Sequence, residues 1–142
     1  MARRLLTAVV LGLVIGCIPV AGAEVPLTGT YSSTLTADDV KGVTVVRGDQ
    51  LVGKWTLVFN SDGTYEVRLN DVTHVKGTFT LKDDELTLTD KTGDFACVEG
   101  DNPQGVYKIT RSALMLTFEK VKDETCPGRA SAMTLKPFTS AK

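Results

Sequence analysis

The sequence predicts an all-β protein, an antiparallel meander of about eight strands closed into a barrel, with one short helical turn and one disulfide. Three observations lead to this fold class. Apolar and polar residues alternate through most of the chain, the alternating segments are short, and turn-forming residues separate them. Strands joined in sequence by tight turns pair antiparallel, and closing eight of them into a barrel removes the exposed edges.

The N-terminus is typical of an export signal. Arg3 and Arg4 precede an apolar run over residues 5–18, and a small-residue cleavage pattern ends at Ala23. The apolar run is too short for a convincing membrane span. We therefore expect residues 1–23 to be a signal peptide and residues 24–142 to form one exported domain, periplasmic or secreted.

A second processing route stays open at Cys17. The stretch Val14-Ile15-Gly16-Cys17 resembles a lipobox, which would make Cys17 a lipidated membrane anchor. The residues that follow Cys17 are apolar, whereas a lipoprotein tether is usually polar. Ordinary cleavage is therefore the favoured expectation, and the protein meets a membrane only if Cys17 is lipidated.

The charge pattern argues against nucleic-acid binding. The chain carries a net charge of −1, and removal of Arg3 and Arg4 with the signal segment leaves −3. Lysine and arginine are scattered among acidic residues, so no basic face for a nucleic acid or a membrane surface is indicated.

The cysteines left after cleavage, Cys97 and Cys126, predict a disulfide. An even cysteine count in an exported chain favours this pairing over a metal site or a catalytic pair. The loop encloses about 30 residues, for which chain entropy gives roughly 3.5 kcal/mol of stabilisation. The bond should join two irregular loops at one rim of the barrel.

The strands and their connections follow from the same alternation. Residues 37–51 form a longer connection, in which Thr36 to Gly42 predict one helical turn. Residues 91–103 and 122–130 are the two loops that carry the cysteines. The predicted strands lie at residues 28–36, 52–60, 63–70, 72–82, 85–90, 104–111, 113–121 and 131–138.

One face of every predicted strand is apolar, which indicates a sheet wrapped around a single core. Ser33 and Gly77 are the main small residues on that face, and are where space could remain. We expect an interior that is mostly filled. The inward residues are Tyr31, Leu35, Trp55, Leu57, Phe59, Tyr65, Val67, Leu69, Val75, Phe79, Leu81, Leu86, Leu88, Tyr107, Ile109, Leu114, Leu116, Phe118, Met133 and Leu135.

Gly53-Lys54-Trp55 on an early strand and Arg129 before the last predicted strand resemble the pattern of the calycin superfamily of lipocalin-like barrels. In that family the late arginine packs across the early tryptophan and closes one barrel end, a cation–π contact. The resemblance implies this closure role for Gly53, Trp55 and Arg129. The chain departs from the family in lacking the Thr-Asp-Tyr loop, and we expect no C-terminal helix packed on the barrel.

A second resemblance is to small uncharacterised exported bacterial proteins. It rests on Gly29-Thr30-Tyr31, the central Gly-x-Trp, Gly105-Val106-Tyr107, and the spacing of Asp123, Cys126 and Arg129. These residues span most of 28–138. They bear on the fold and imply no particular ligand.

No residue pattern in the sequence indicates catalysis, and we expect no enzyme activity, no cofactor and no metal. His74, the one histidine, falls on a polar strand face and is expected to face solvent. The acidic run Asp83-Asp84-Glu85 is typical of a solvated hairpin tip, not of a cation site.

The function expected is binding of a small, partly apolar molecule in or near the barrel mouth. Tyr31, Tyr65 and Tyr107 are candidate lining residues, and Arg111 could hold a ligand carboxylate. The alternative is a protein-interaction module, such as an inhibitor of an exported protease, because small exported metalloprotease inhibitors resemble this chain in size and single disulfide. The segment Glu24-Val25-Pro26-Leu27 would then enter the protease cleft.

Overall fold

A computed structural model of the chain describes residues 26–44, 46–98 and 104–141 and contains a closed eight-stranded barrel. A 3-10 helix, Gly48–Leu51, lies between the first two strands, and a helix, α1 (Pro127–Thr134), precedes the last strand. The strands are β1 (Gly29–Leu35), β2 (Gly53–Phe59), β3 (Thr64–Leu69), β4 (Val72–Lys82), β5 (Glu85–Thr92), β6 (Gln104–Arg111), β7 (Met115–Lys122) and β8 (Phe138–Ser140).

Every strand pairs antiparallel with its neighbour in sequence, so the predicted meander barrel is confirmed. The seam is narrow, because β8 has only three residues. It pairs with β1 at Tyr31↔Ser140 and Ser32↔Thr139, and with β7 at Met115↔Thr139 and Leu116↔Phe138. The first seven predicted strands match the observed ones to within two residues at either end.

The eighth predicted strand is wrong. Residues 127–134 form α1, and the closing strand is Phe138–Ser140. Pro127 occupies the first turn of α1, where a missing backbone N–H costs nothing, and small residues follow it. The alternation of Met133 and Leu135 predicts a strand, but both residues lie on α1 or at its C-terminal cap. The expectation that no C-terminal helix packs on the barrel is therefore also wrong, since Ala132 and Met133 on α1 are buried.

The helical turn predicted near Gly42 lies elsewhere in the same connection. Residues 36–43 form successive turns with i→i+3 hydrogen bonds, and the 3-10 helix comes later, at Gly48–Leu51. Thr36 and Asp39 still act as a local cap, since the Thr36 N–H and hydroxyl both donate to Asp39 at 2.7 Å. These hydrogen bonds hold the pKa of Asp39 down at about 2.

The predicted inward face forms the core. Leu57, Phe59, Tyr65, Leu86, Leu88, Tyr107 and Leu116 are all essentially inaccessible to solvent. Leu114 is the exception and is 54% exposed, because it lies in the turn between β6 and β7 and not on a strand. Met133 belongs to the core, but it enters from α1.

The two ends of the barrel differ in how they are covered. At the end we call the turn end, short reversals near residues 60–63, 83–84 and 112–114 join the strands. At the other end, the loop end, lie the longer connections that follow β1, β5 and β7, described over residues 36–44, 46–52, 93–98 and 123–137. The disulfide Cys97–Cys126 joins two of these loops at one rim, as predicted, with Cα atoms 5.9 Å apart. No helix among the described residues is long and apolar enough to cross a membrane.

Removing the disulfide should lower stability substantially. A Cys97→Ala/Cys126→Ala variant frees a loop whose ends are 29 residues apart, which should cost about 2–4 kcal/mol in unfolding free energy. Denaturant unfolding of the variant and of the oxidised protein measures the difference. Equal midpoints would contradict a structural role for the bond.

Candidate functional site

A cavity of about 290 Å³ opens at the loop end of the barrel. Its walls come from β2 to β5 and from β8, and it is covered by the 3-10 helix, the segment after β5 and α1. The lining is predominantly apolar and comprises Val46, Gln50, Leu51, Trp55, Leu57, Tyr65, Val67, Val75, Leu88, Asp90, Phe95, Cys97, Cys126, Pro127, Gly128, Arg129, Ala132, Met133 and Phe138. The interior is therefore less completely filled than the sequence indicated.

Trp55 fixes one side of the cover. Its indole Nε1 donates to the Leu51 carbonyl at 2.7 Å, which ties the 3-10 helix to the β2 wall. Gly53 provides the space for this start of β2, because it has φ +140° and a Cβ there would lie 2.7 Å from Leu69 Cδ1. The Gly-x-Trp motif thus shapes the loop end of the barrel.

Phe95 covers another side of the cavity and is itself 43% exposed. Its ring stacks on the His74 imidazole, with centroids 4.1 Å apart and planes 8° from parallel. His74 Nδ1 lies 2.9 Å from an Asp94 carboxylate oxygen, and this hydrogen bond lowers the pKa of Asp94. His74 lies on the outward-facing side of β4, as expected, but Phe95 covers its ring, so its side chain is only 16% exposed and faces solvent less than expected.

A buried ionic cluster lies against the cavity and is centred on Arg129. Its Nε and Nη2 each donate to Asp123 at 2.7 Å, a bidentate pair, and its Nη1 lies 3.0 Å from Asp90 Oδ1. The side chains of Arg129, Asp90 and Asp123 are 8%, 1% and 0% exposed. Burial disfavours the charged guanidinium, but the hydrogen bond to Asp123 and the two carboxylate charges raise the pKa of Arg129.

Two tyrosines complete the cluster. The Tyr65 hydroxyl donates to Asp90 Oδ1, and the Tyr107 hydroxyl donates to Asp123 Oδ2. The Cys97 backbone N–H also donates to Asp90 Oδ2, at 2.8 Å. Burial and the adjacent carboxylates raise the pKa of both tyrosines well above the usual range, since an ionised phenol would face a second negative charge.

Two glycines make room for these side chains. A Cβ on Gly77 would lie 2.6 Å from Tyr65 Cε1, and one on Gly105 would lie 2.6 Å from Asp123 Oδ2 and 2.9 Å from Arg129 Nε. The register Tyr65↔Gly77 and Gly77↔Asp90 shows how the phenol crosses a glycine to reach its carboxylate two strands away. The space predicted at Gly77 exists, and the Tyr65 ring occupies it.

The structure separates the predicted ligand-binding residues. Of these, only Tyr65 lines the cavity. Tyr31 lies at the turn end, edge-on to Phe59 with ring centroids 6.1 Å apart, Tyr107 is fully buried in the ionic cluster, and Arg111 ends β6.

Asp90 and Asp123 were not nominated from the sequence as site residues. A signal for Asp90 was present, because it follows Leu86 and Leu88 on the inward phase of β5. A carboxylate on an inward phase requires a partner, and Arg129 is the partner here. The resemblance implied that Arg129 packs on Trp55. Both residues line the cavity, and the ion pairs of Arg129 are those with Asp90 and Asp123.

One set of potential metal ligands occurs among the described residues, namely Asp90, Cys97 and Cys126, whose ligand atoms lie within 4.8 Å of one another. The two sulfurs are bonded to each other, so neither is available as a thiolate. Asp90 is also engaged by Arg129, Tyr65 and the Cys97 N–H. In the oxidised protein this group acts as a structural junction between β5, its following loop and α1.

Replacing Arg129 should be among the most damaging single changes. Arg129→Met leaves two buried carboxylates without their cation, and we expect a loss of about 3–5 kcal/mol in unfolding free energy. The matched control is Arg68→Met, because Arg68 pairs with Glu66 at the surface with its side chain 39% exposed. That change should cost less than about 1 kcal/mol. Similar losses in the two variants, measured by denaturant unfolding, would contradict the central role of the cluster.

Alkaline pH should weaken the fold through Tyr65 and Tyr107. Both keep their proton in the folded protein above about pH 10, where an unfolded chain releases it. The folded state then binds more protons, so their stabilisation is complete below about pH 10. As the pH rises further, the unfolding free energy should fall by up to about 1.4 kcal/mol per pH unit for each tyrosine.

Denaturant unfolding across this pH range, compared between the native protein and Tyr65→Phe, isolates one of the two groups. The variant should lose less stability per pH unit than the native protein. Parallel pH profiles would show that Tyr65 ionises normally in the folded state.

Comparisons with known proteins assign neither a family nor a function to this chain. No protein-family model, no curated protein and no solved structure matches this chain. The eight-stranded antiparallel barrel is established as an architecture and agrees with a lipocalin-like fold. Its function has to be argued from the loop-end cavity and the ionic cluster beside it.

Proposed function

We propose that this chain is an exported, lipocalin-like barrel that binds a small, largely apolar molecule in the loop-end cavity. The observation that carries the proposal is the cavity itself, about 290 Å³ and lined mainly by aliphatic and aromatic side chains. Ligand sites are concave, mostly apolar and furnished with a few polar groups, and here Gln50, Asp90 and Arg129 supply those groups. The proposal is one of binding without chemical conversion.

The volume limits the size of the occupant. A cavity of about 150 Å³ accommodates benzene, and pockets for drug-sized ligands begin near 300 Å³. The cavity of this protein, at about 290 Å³, therefore suits a molecule of roughly two to three aromatic rings. Long acyl chains and large polycyclic ligands exceed it.

The ligand should enter at the loop end. Gln50 and Phe95 both line the cavity and are exposed, which marks its boundary with solvent. The turn end is closed by aromatic packing, with the rings of Phe79 and Tyr31 both edge-on to Phe59, at centroid distances of 5.0 and 6.1 Å. One end of the barrel thus admits a ligand, while the other is filled.

Export is supported by the disulfide, which persists in an oxidising compartment and joins two elements that cover the cavity. The signal segment and Cys17 lie outside the described residues, so cleavage and lipidation stay predictions. The protease-inhibitor alternative requires the segment Glu24-Val25-Pro26-Leu27 to be free to enter a protease cleft. Leu27 is instead buried in the core at 2% exposure, which counts against that mode of action.

Binding can be tested with the neutral fluorescent probe N-phenyl-naphthylamine. Trp55, the one tryptophan of the chain, lines the cavity and should transfer excitation energy to a bound probe. Ala132→Phe, which adds a ring to the cavity wall, should weaken binding at least tenfold. Ala113→Phe, in the exposed turn between β6 and β7, is the control and should bind like the native protein.

Two results would count against the site. One is the absence of probe binding to the native protein. The other is undiminished binding by a folded Ala132→Phe variant, which would place the probe outside the cavity. Circular dichroism of both variants confirms that the barrel has formed.

A further inference from the structure

The ionic cluster beside the cavity carries an excess of negative charge. It contains two carboxylates, Asp90 and Asp123, and one cation, Arg129, and all three side chains are at least nine-tenths buried. Asp90 and Arg129 are the charged residues on the described part of the cavity lining. Asp123 pairs with the other side of the same guanidinium. The cluster beside the cavity therefore has one more negative than positive formal charge, in a site of low dielectric.

The cation of the cluster is directed toward its own carboxylates. Arg129 uses Nε and Nη2 for Asp123 and Nη1 for Asp90. The Tyr65 and Tyr107 hydroxyls also donate to these carboxylates. A ligand carboxylate would have to compete with Asp90 for Arg129, and it would bring a third negative charge into a buried site, which is costly.

Asp90 retains capacity to accept a hydrogen bond. Its Oδ1 receives the Tyr65 hydroxyl and Arg129 Nη1, and its Oδ2 receives the Cys97 N–H. A carboxylate offers about four lone-pair positions, which is one more than these three donors use. Asp90 lines the cavity, and a ligand N–H or O–H group is the matching partner.

We propose that the cavity selects a compact apolar molecule bearing one hydrogen-bond donor, neutral or cationic, and rejects the carboxylate of the same shape. The inference rests on the proposed function, since it specifies the chemical class of ligand for that site. An aromatic or alicyclic amine or alcohol fits this description. A small aromatic or aliphatic acid does not.

Three probes with one ring system test the selection: naphthylmethylamine, naphthylmethanol and naphthoate. Calorimetric titration of the disulfide-bonded protein at neutral pH should show the amine and the alcohol binding at least tenfold more tightly than naphthoate. Methylnaphthalene, which lacks a donor, should bind more weakly than the alcohol.

The outcomes separate the two proposals. If naphthoate binds as tightly as the amine, the proposed rejection of carboxylates is wrong. Binding of N-phenyl-naphthylamine would still support an apolar binding site in that case. If methylnaphthalene and naphthylmethanol bind equally tightly, the ligand's hydrogen-bond donor contributes nothing to affinity, and that part of the proposal is wrong. Failure of all four naphthalene compounds and of N-phenyl-naphthylamine would overturn the proposed function and this inference with it.

Two variants distinguish the effect of a charge at the cavity from the effect of the net charge of the protein. Gln50→Lys adds one positive charge at the exposed edge of the cavity and should narrow or reverse the preference against naphthoate. Glu119→Gln changes the net charge by the same amount on the outer face of β7 and should leave the preference unchanged. Equal shifts in the two variants would attribute the selectivity to net charge and overturn the role of the cavity.

Discussion

The contact on which the loop end depends is the buried guanidinium of Arg129 between Asp90 and Asp123. It joins α1 to β5 and to the segment that follows β7. A helix of eight residues has little stability of its own, so α1 is held by tertiary contacts. Two of these contacts lie at its N-terminal end, namely the disulfide at the N-cap residue Cys126 and the ion pairs of Arg129. The hydrogen-bonded sheet forms the barrel wall, whereas the disulfide and the ion pairs hold α1 in place over the loop end.

The ionic cluster requires glycine at two positions that are distant from it in the sequence. Tyr65 reaches Asp90 only because Gly77, on the strand between them, has no side chain. Gly105 plays the corresponding part beside Tyr107, Asp123 and Arg129. A well-packed apolar core is often as stable as a buried ion pair or more so, which means that net stability does not explain the cluster. Its directional hydrogen bonds do fix one arrangement of β5, the end of β7 and α1.

Alternation predicted the wall of the barrel well and its cover poorly. From β1 to β7, apolar and polar residues alternate because one face of each strand is buried in the barrel core and the other faces outward. The same alternation therefore predicts these strands from the sequence. The same pattern at Met133 and Leu135 gives a wrong prediction, because apolar residues at positions i and i+2 also occur on short helices. Pro127, which is favoured at the first position of a helix, is the better signal there. Asp90 could have been recognised from its inward phase after Leu88. Its pairing with Arg129, 39 positions later in the chain, depends on how α1 docks, which no local pattern encodes.

The cover also explains how an apolar void can persist in so small a barrel. Protein interiors close over empty space when the surrounding side chains are free to move inward. Here two side chains of the cavity wall are fixed by contacts of their own: the Trp55 indole donates to the Leu51 carbonyl, and the Phe95 ring stacks on His74. On the remaining side, Arg129 cannot move into the apolar space without leaving its carboxylates, and a separated charge is costly in the interior. The polar cluster therefore preserves the apolar cavity beside it, which is why the two features belong to one site.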